Sequence, residues 1–367
     1  MSYKLSGSKN GKKNKRVWIV ALLLIILIKI FTINQLWVER YYSTGFYVSF
    51  SKILRLFFGW IPFSFGDILY FVAGCWIAWK IIRNIILLLR RKITKRSAFG
   101  KLRKLVLLFA FISIVFYLFW GINYDRKGIA WQLQILPQQY DTTDLLTLQD
   151  LLLQKVNATK MVVVKNGEKY PSTEELIQMA KRSYAEAHKK FPFLNYNHVS
   201  VKSSLYGTLG DYLDFTGYYN PFTGEAQINT TVPKMLQPYI TTHEIGHQLG
   251  YAKENEANFV GYLAAVNSPD TLFHYSTYLD LFLYTNREVY YFDSVSSKKA
   301  LKQLVLPVKS DLLELQKFDL DHQSVFEPFI TWMYGNYLKL NNQPKGLHSY
   351  NAVVGMLIAY YKKYGKI

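Results

Sequence analysis

Residues 241–262 read TTHEIGHQLGYAKENEANFVGY and contain an H-E-x-x-H motif. On a helix, His243 and His247 lie one turn apart and point from the same face. Two imidazoles placed in this way can bind one zinc ion, and Glu244 beside them can take a proton from a water molecule that the ion activates. Gly250 lies just past His247, where a helix can end through a left-handed cap. The stretch therefore predicts a metal-binding helix that ends at this glycine.

A catalytic zinc site takes three protein ligands and a water molecule, so the two histidines need a third partner. Position 253, where a histidine would extend the motif, is a lysine. The nearest acids are Glu254 and Glu256. If residues 254–266 form a helix, Glu254 lies on a face of small residues that includes Asn258, whereas Glu256 points to a different side. Glu254 is therefore the expected third ligand and Glu256 the alternative. The Asn258 amide is the expected hydrogen-bond acceptor for a ring N–H of a ligand histidine.

The composition indicates a membrane protein and argues against nucleic-acid binding. Half of the 367 residues are hydrophobic, and the formal net charge is +19. The basic residues crowd into segments 1–16 and 90–104, and each segment borders an apolar stretch, as the cytoplasmic flanks of membrane helices do. We therefore expect no nucleic acid among the partners. Cys75 is the single cysteine, so neither a disulfide framework nor a cysteine-based zinc site is expected within one chain.

Three apolar runs have about the length that a bilayer requires. They span approximately residues 17–37, 63–82 and 105–124. If the basic flanks lie inside, the N-terminus is cytoplasmic and everything after Tyr124 lies outside. The aromatic segment 38–62 suits the outer interface of the membrane. We therefore expect a multi-pass membrane region at 1–124 and an extracytoplasmic domain at 125–367.

Residues 125–367 have ordinary polarity and the size of one globular domain. Helices are expected at 143–156, at 172–190 behind the capping sequence STEE, after Pro233, and over most of 254–291, 298–319, 323–340 and 348–363. The stretch MVVVKNGEKY (161–170) is expected to form a short hairpin or strand, and the segments within 198–231 a small sheet. The expected fold is thus α+β and mainly helical.

Two further sets of residues are candidates for binding substrate. The segment Gly217–Asn229 is either an edge on which an extended peptide adds as a strand or a purely structural hairpin. Tyrosine and histidine side chains of the same domain could stabilise the oxyanion of a tetrahedral intermediate. These candidates are Tyr218, Tyr219, His274, Tyr275, His348 and Tyr350.

The motif resembles that of the glutamate-liganded zinc peptidases, or gluzincins, in which H-E-x-x-H is followed by E-x-x-x-D or E-x-E-A-N/D. The matching residues here are Glu254 and Asn258. The six residues between His247 and Glu254 form a shorter gap than many gluzincins have. The resemblance implies a zincin-like fold with a His–His–Glu zinc site, and the short gap leaves both Glu254 and Glu256 open as the third ligand.

A second resemblance covers nearly the whole chain. It rests on IPFSFGDILY (61–70), WGINYDRKG (120–128), GYYNPFTGEAQIN (217–229), HEIGHQLGYAKENEANFVGYL (243–263) and SYNAVVGMLIAYY (349–361). These segments resemble the bacterial membrane family named domain of unknown function 3810. The resemblance implies an N-terminal membrane region and a metallopeptidase domain, and it supports the architecture more than the activity.

Together these patterns predict N-terminal transmembrane helices followed by a zincin-like domain that acts as a zinc-dependent peptidase outside the cytoplasmic membrane of a bacterium. Zn²⁺ is the expected cofactor, and a peptide or protein is the expected substrate. The motif lies far in sequence from every apolar run, so the site is expected outside the bilayer. The alternative is a non-catalytic zinc-binding envelope scaffold or partner-binding protein.

Overall fold

Helices make up most of the chain, and one small sheet precedes the motif helix. The structure is a computed structural model that describes residues 6–92, 94–135, 139–344, 346 and 352–367, with side chains described from residue 15 onward. The prediction of a mainly helical chain with a small sheet is confirmed.

The described residues between 6 and 125 form a close succession of helices. They are α1 (Ser6–Ile33), α2 (Gln35–Trp37), a π-helix (Val38–Phe46), α3 (Tyr47–Phe58), α4 (Phe65–Leu89), α5 (Lys95–Phe119) and a 3-10 helix (Gly121–Asp125). Three segments are long and apolar enough to cross a membrane: Lys15–Ile33 within α1, and the whole of α4 and α5. Each of the three apolar runs in the sequence thus corresponds to one such helix.

The limits of all three helices differ from the expected ones. α1 begins at Ser6 and ends at Ile33, whereas residues 17–37 were expected. α4 continues to Leu89 instead of ending near residue 82. α5 begins at Lys95 instead of near residue 105, and it ends at Phe119. The early start has a local cause, since the Thr94 side chain accepts the N–H of Ser97 as an N-cap. Part of the basic segment 90–104, which was expected to flank the apolar helices, therefore lies on the first turns of α5.

α1 and α5 pack against each other in parallel. Near their N-terminal ends, Arg103 of α5 lies 5.7 Å from the centre of the Trp18 ring of α1. Near their C-terminal ends, Lys29 of α1 lies 5.1 Å from the centre of the Tyr117 ring of α5. The basic residues of the α4–α5 connection and of the first turns of α5 therefore gather at one end of this pair, and the segments that follow α1 and α5 begin at the other end.

The remaining chain surrounds the sheet with further helices. The elements are α6 (Gly128–Gln132), α7 (Thr142–Lys165), α8 (Thr173–Lys190), a 3-10 helix (Pro192–Leu194), β1 (Val201–Ser203), α9 (Gly207–Tyr212), β2 (Gly217–Asn220), β3 (Glu225–Ile228), α10 (Gln237–Gln248), α11 (Glu254–Ala265), α12 (Thr271–Phe292), α13 (Ser294–Gln303), α14 (Leu306–Asp321), α15 (Glu327–Leu340) and α16 (Ala352–Tyr364). The helix expected at 172–190 is confirmed as α8, with a capping box between Ser172 and Glu175.

The predicted hairpin or strand at 161–170 is wrong, because α7 continues to Lys165. The helix keeps a buried stripe at three- and four-residue spacing far beyond the expected end at residue 156. The stripe consists of Leu145, Leu148, Leu152, Val156, Lys160 and Val163. Packing of α7 along α12 therefore outweighs the strand preference of the three valines at 162–164.

The three strands have the order β1-β3-β2. β1 is parallel to β3, with Val201 opposite Ala226, and β2 is antiparallel to β3, with Gly217 opposite Ile228. This arrangement confirms the small sheet expected within 198–231. β3 is buried along its whole length, and β2 forms an edge of the sheet beside α10.

A small hydrophobic cluster joins the N-terminal helices to the sheet and to α10. Its aromatic members are Tyr42, Tyr47, Trp120, Tyr124 and Tyr219. The segment expected at the outer membrane interface, 38–62, therefore also packs directly on the remainder of the chain. This contact brings the ends of the apolar helices close to the H-E-x-x-H motif.

Candidate metal centre

The motif lies on α10, which ends where the sequence predicted. Gly250 has φ +85°, a left-handed conformation that glycine adopts without strain. Its N–H donates to the carbonyl oxygen of His247, and the N–H of Tyr251 donates to that of Gly246. The chain thereby turns back on itself, and α11 begins at Glu254.

Glycines allow α11 to pack closely on the motif helix. A Cβ atom on Gly261 of α11 would lie 3.0 Å from the backbone nitrogen of His243. A Cβ atom on Gly246 of α10 would lie 3.3 Å from the backbone oxygen of Ala257. Larger side chains at either glycine would push the helices apart. The close approach brings the first residue of α11, Glu254, to the histidines.

His243, His247 and Glu254 converge on one point. The Oε2 atom of Glu254 lies 3.3 Å from Nε2 of His243 and 3.4 Å from Nε2 of His247. Zinc–ligand bonds of about 2.0–2.1 Å at tetrahedral angles would place ligand atoms roughly 3.3–3.4 Å apart. Both distances from the carboxylate oxygen to the imidazole nitrogens therefore match an edge of a zinc tetrahedron, and the ligand atoms of the three residues all lie within 4.8 Å of one another.

The same three groups interact strongly through their charges. Burial lowers the pKa of His247, but attraction to the Glu254 carboxylate outweighs it and raises the pKa to about 9. For Glu254 the two effects have the opposite signs. Burial raises the pKa of this carboxyl group, but the two histidines together hold it well below its usual range. The carboxylate and the imidazoles therefore stabilise each other's charged forms.

Further hydrogen bonds fix the orientation of the ligands. Nδ1 of His247 lies 2.8 Å from the backbone oxygen of Tyr251, which leaves Nε2 to face the other ligands. The second carboxylate oxygen of Glu254, Oε1, accepts a hydrogen bond from the Tyr334 hydroxyl of α15 at 2.9 Å. The amide of Asn258, expected to bind a ligand histidine, makes no such contact within the described residues, and its Nδ2 atom has no hydrogen-bond partner there.

Glu256 points away from the histidines. A Cβ atom on Gly128 would lie only 2.0 Å from Oε1 of Glu256, and the Lys253 ammonium lies 3.8 Å from that same oxygen. Arg126 is close enough to lower the pKa of Glu256, although burial raises it more. Of the two acids considered for the third position, the structure brings Glu254 to the histidines and turns Glu256 towards the segment after α5.

Glu244 lies between the ligand histidines and the edge strand β2. Its side chain is buried beside the two histidines, and its Oε2 atom has no hydrogen-bond partner among the described residues. Burial raises the pKa of Glu244 to about 7, against the lowering effect of His243 and His247. The edge strand β2 passes directly over this carboxylate, because a Cβ atom on Gly217 would lie 2.6 Å from its Oε1 atom.

The other expected site residues have different partners. The Tyr218 hydroxyl donates to Asp67 of α4 at 2.5 Å. The Tyr219 hydroxyl lies 3.1 Å from that of Tyr47, and its ring packs on Trp120.

The expected candidates on α12 and in the C-terminal segment also lie away from the ligands or beyond what the structure describes. His274 contacts the backbone oxygen of Ser268 at 2.9 Å, and Tyr275 donates to Asp311. His348 and Tyr350 lie outside the described residues.

Several residues near the centre were not expected from the sequence. Trp120, the residue after α5, packs edge-on against the ring of His247 at 6.0 Å. On α12, Asp280 lies near His243, and Tyr284 one turn later lies near Glu254 and Asp280. Burial raises the pKa of Asp280 to about 7. Asp280 and Tyr284 are four residues apart, so they lie on the same face of α12. This spacing is visible in the sequence and could have marked both residues as candidates.

The segment after α5 is held in place by a buried ion pair. Glu39 of the π-helix and Arg126 have side chains that are 5% and 2% exposed, and their nearest charged atoms lie 2.7 Å apart. Glu39 also accepts hydrogen bonds from the Lys127 N–H and the Gln132 amide. Arg126 in turn donates to the carbonyl oxygen of Gly250, just past the motif helix. The pair therefore connects the N-terminal helices to the end of α10.

Comparison with known proteins identifies the family. The family model described as "Protein of unknown function (DUF3810)" matches residues 42–358. The match covers most of the chain, and the chain therefore belongs to this family. No curated protein and no solved structure matches it.

Proposed function

We propose that this member of the DUF3810 family is a membrane-anchored, zinc-dependent peptidase with a zincin-like catalytic domain. His243, His247 and Glu254 would hold the metal, and Glu244 would be the general base. The observation that carries the proposal is the convergence of one carboxylate oxygen on two imidazole nitrogens at 3.3 and 3.4 Å, beside a buried glutamate.

The donor set favours zinc among the divalent metals. Two imidazoles and one carboxylate form a three-ligand set that leaves one position open, as catalytic zinc sites do. When bound, a zinc ion supplies a Lewis acid that lowers the pKa of a water molecule and polarises a carbonyl group. The hydrogen bonds from Tyr334 to Glu254 and from His247 to the backbone of Tyr251 support the ligands from behind.

Glu244 would move the proton during hydrolysis. Its carboxylate takes a proton from water as the water oxygen attacks the carbonyl carbon of the peptide bond. When the carbon–nitrogen bond breaks, Glu244 passes the same proton to the leaving amine. The position of Glu244 suits both steps, because its carboxylate is buried beside the two histidines and its Oε2 atom has no hydrogen-bond partner among the described residues.

The edge strand β2 would align the substrate. Asn229 N–H donates to the carbonyl oxygen of Thr216, so in this register the backbone groups of Gly217 and Tyr219 point away from β3. No described residue forms a backbone hydrogen bond with them on that side. An extended peptide that pairs with this edge would pass over Glu244, which supports a peptide as the substrate.

The charge distribution supports an extracytoplasmic catalytic domain. The basic residues at the start of α5 and in the α4–α5 connection lie at the end of the apolar helices opposite to the candidate metal centre. By the positive-inside rule, that end would be cytoplasmic in a bacterial inner membrane. Alkaline phosphatase fused after residue 367 should be active, and the same enzyme fused after residue 92 should be inactive. The reverse pattern would refute this topology.

The activity is tested with the full chain in nanodiscs. We expect about one zinc ion per chain in the wild type, in Glu244→Gln and in the surface control Glu186→Gln. The wild type and Glu186→Gln should cleave members of a mixed peptide library, and Glu244→Gln should be slower by roughly 10²–10⁴-fold. Bound zinc without cleavage by any form would refute the peptidase and favour the zinc-binding scaffold. A chain that binds no zinc would refute both.

A further inference from the structure

Helix α15 lies beside the candidate metal centre. Its Tyr334 hydroxyl donates to Oε1 of Glu254 at 2.9 Å, and its ring packs against Phe215, just before the edge strand β2. A helix in this position covers one side of the ligands. What lies on the outer surface of α15 therefore bears on how a substrate reaches the metal.

α15 also lies at the ends of the apolar helices. The Tyr337 hydroxyl lies 3.2 Å from that of Tyr124, five residues after the end of α5. Tyr337 is close enough to interact electrostatically with Tyr117 of α5 and Tyr70 of α4. If α4 and α5 cross a bilayer, this row of tyrosines marks its surface. α15 would then run along that surface.

The outer side of α15 is divided into an apolar arc and a polar arc. The row that faces the protein contains Ile330, Tyr334 and Leu338. On one side of this row the helix exposes large apolar side chains, which share one arc at helical spacing with the half-buried Asn336. The members of this apolar arc are Phe326, Phe329, Trp332, Met333 and Leu340, all more than half exposed. The other arc carries the exposed Thr331 and Lys339, with the half-buried Gly335 between them.

The apolar arc continues the surface of the membrane helices. Tyr337, which faces the ends of α4 and α5, borders the arc on the helix surface. Along α4, every residue from Ile68 to Trp79 is exposed, as expected for a helix surrounded by lipid. Trp332 and the phenylalanines have the character of side chains that anchor interfacial helices. Lipid is therefore the partner that the apolar arc fits.

We infer that α15 rests its apolar arc in the lipid surface and closes the metal centre on the bilayer side, so that the polypeptides that reach the metal are membrane-associated. The second part of this inference rests on the proposed peptidase function. Trp120 supports it, because the residue that directly follows α5 contacts the ring of His247. A peptide bond of a substrate at the bilayer surface would thus lie close to the metal ligands.

Lipid contact is tested without any activity measurement. In a Cys75→Ser background, single cysteines replace Phe329 or Met333 on the apolar arc, and Thr331 or Lys339 on the polar arc. Each is labelled with an environment-sensitive fluorophore, and the chain is placed in nanodiscs with or without lipids that carry a nitroxide near the headgroup. We expect quenching at least about threefold stronger at 329 and 333. Equal quenching at all four positions would refute docking of α15 on lipid.

The substrate class is tested with one peptide library in two forms, N-palmitoylated and N-acetylated, presented to the wild type in lipid vesicles. We expect the palmitoylated form to be cleaved at least tenfold faster. The double variant Phe329→Ser/Trp332→Ser should lose this preference and keep its rate on the acetylated form. Equal rates in the wild type would refute a membrane-associated substrate. No cleavage of either form, with zinc bound, would instead refute the peptidase and leave the quenching result to decide the docking of α15.

Discussion

The indole N–H of Trp120 donates to the backbone carbonyl oxygen of His247 at 3.2 Å. Carbonyl groups at the C-terminal end of a helix lack partners within it, and here side chains from the N-terminal part of the chain provide them. Tyr47 and Arg55 both donate to the carbonyl oxygen of Gln248, and Arg126 donates to that of Gly250. The end of the motif helix is therefore held by residues from outside the expected domain at 125–367 as well as from within it.

We predict that Trp120→Phe weakens zinc binding by roughly tenfold, because the last turn of α10 and the ring of His247 lose a fixed neighbour. The carbonyl oxygen of His247 keeps the Gly250 N–H as a donor but loses the indole N–H, which should lower the free energy of unfolding by about 1 kcal/mol. Titration with zinc in a competing chelator measures the first effect. The half-exposed Trp131→Phe is the matched control and should bind zinc as the wild type does.

We predict that Glu254→Ala abolishes stoichiometric zinc binding, whereas Glu256→Gln retains it. Only Glu254 directs a carboxylate oxygen at both histidines, while Glu256 faces Arg126 and Gly128. Metal analysis of the purified full-length variants measures the difference. Retention of zinc by Glu254→Ala and its loss from Glu256→Gln would reverse the assignment.

We predict that Gly217→Ala lowers peptide hydrolysis by about 10²-fold with little change in zinc content. The added Cβ would lie 2.6 Å from Oε1 of Glu244 and must displace either the base or the edge strand. The control is Gly74→Ala on α4, where no atom lies within 4 Å of an added Cβ. An active Gly217→Ala chain would contradict the close approach of β2 to the base.

We predict that acid destabilises the protein partly through Glu39. Burial raises the pKa of Glu39, but Arg126 outweighs it, so the pKa in the folded protein is lower than in the unfolded chain. The stabilisation is therefore complete above about pH 4.5 and is lost as the pH falls through the folded pKa. The free energy of unfolding, measured in detergent between pH 3 and 7, shows this loss of stability.

The variant Glu39→Gln provides the control for this pH dependence. It leaves the buried Arg126 without its partner and should lose about 3–5 kcal/mol at neutral pH. Its stability should also depend less on pH below 4.5, because the titrating carboxylate is gone. A pH dependence as steep as that of the wild type would show that other groups account for the acid effect.

Helical periodicity, capping residues and the lengths of apolar runs were enough to predict much of the local structure. The motif helix, its end at Gly250 and the helix that begins at Glu254 all follow from neighbouring residues. The prediction failed at residues 161–170, where three valines favour a strand. There the stripe of α7 that packs on α12 decides the outcome, and its partner lies more than a hundred residues away.

The sequence by itself determined three apolar helices, the turn that reverses the chain after H-E-x-x-H, and a choice between two acids for the third ligand position. The tertiary structure decided which acid faces the histidines, because the answer depends on how closely Gly261 lets α11 approach α10. It also brought Trp120, Tyr334 and Gly217 to the centre. Such contacts join residues far apart in the chain, and their energies depend on packing in three dimensions, which no local pattern records.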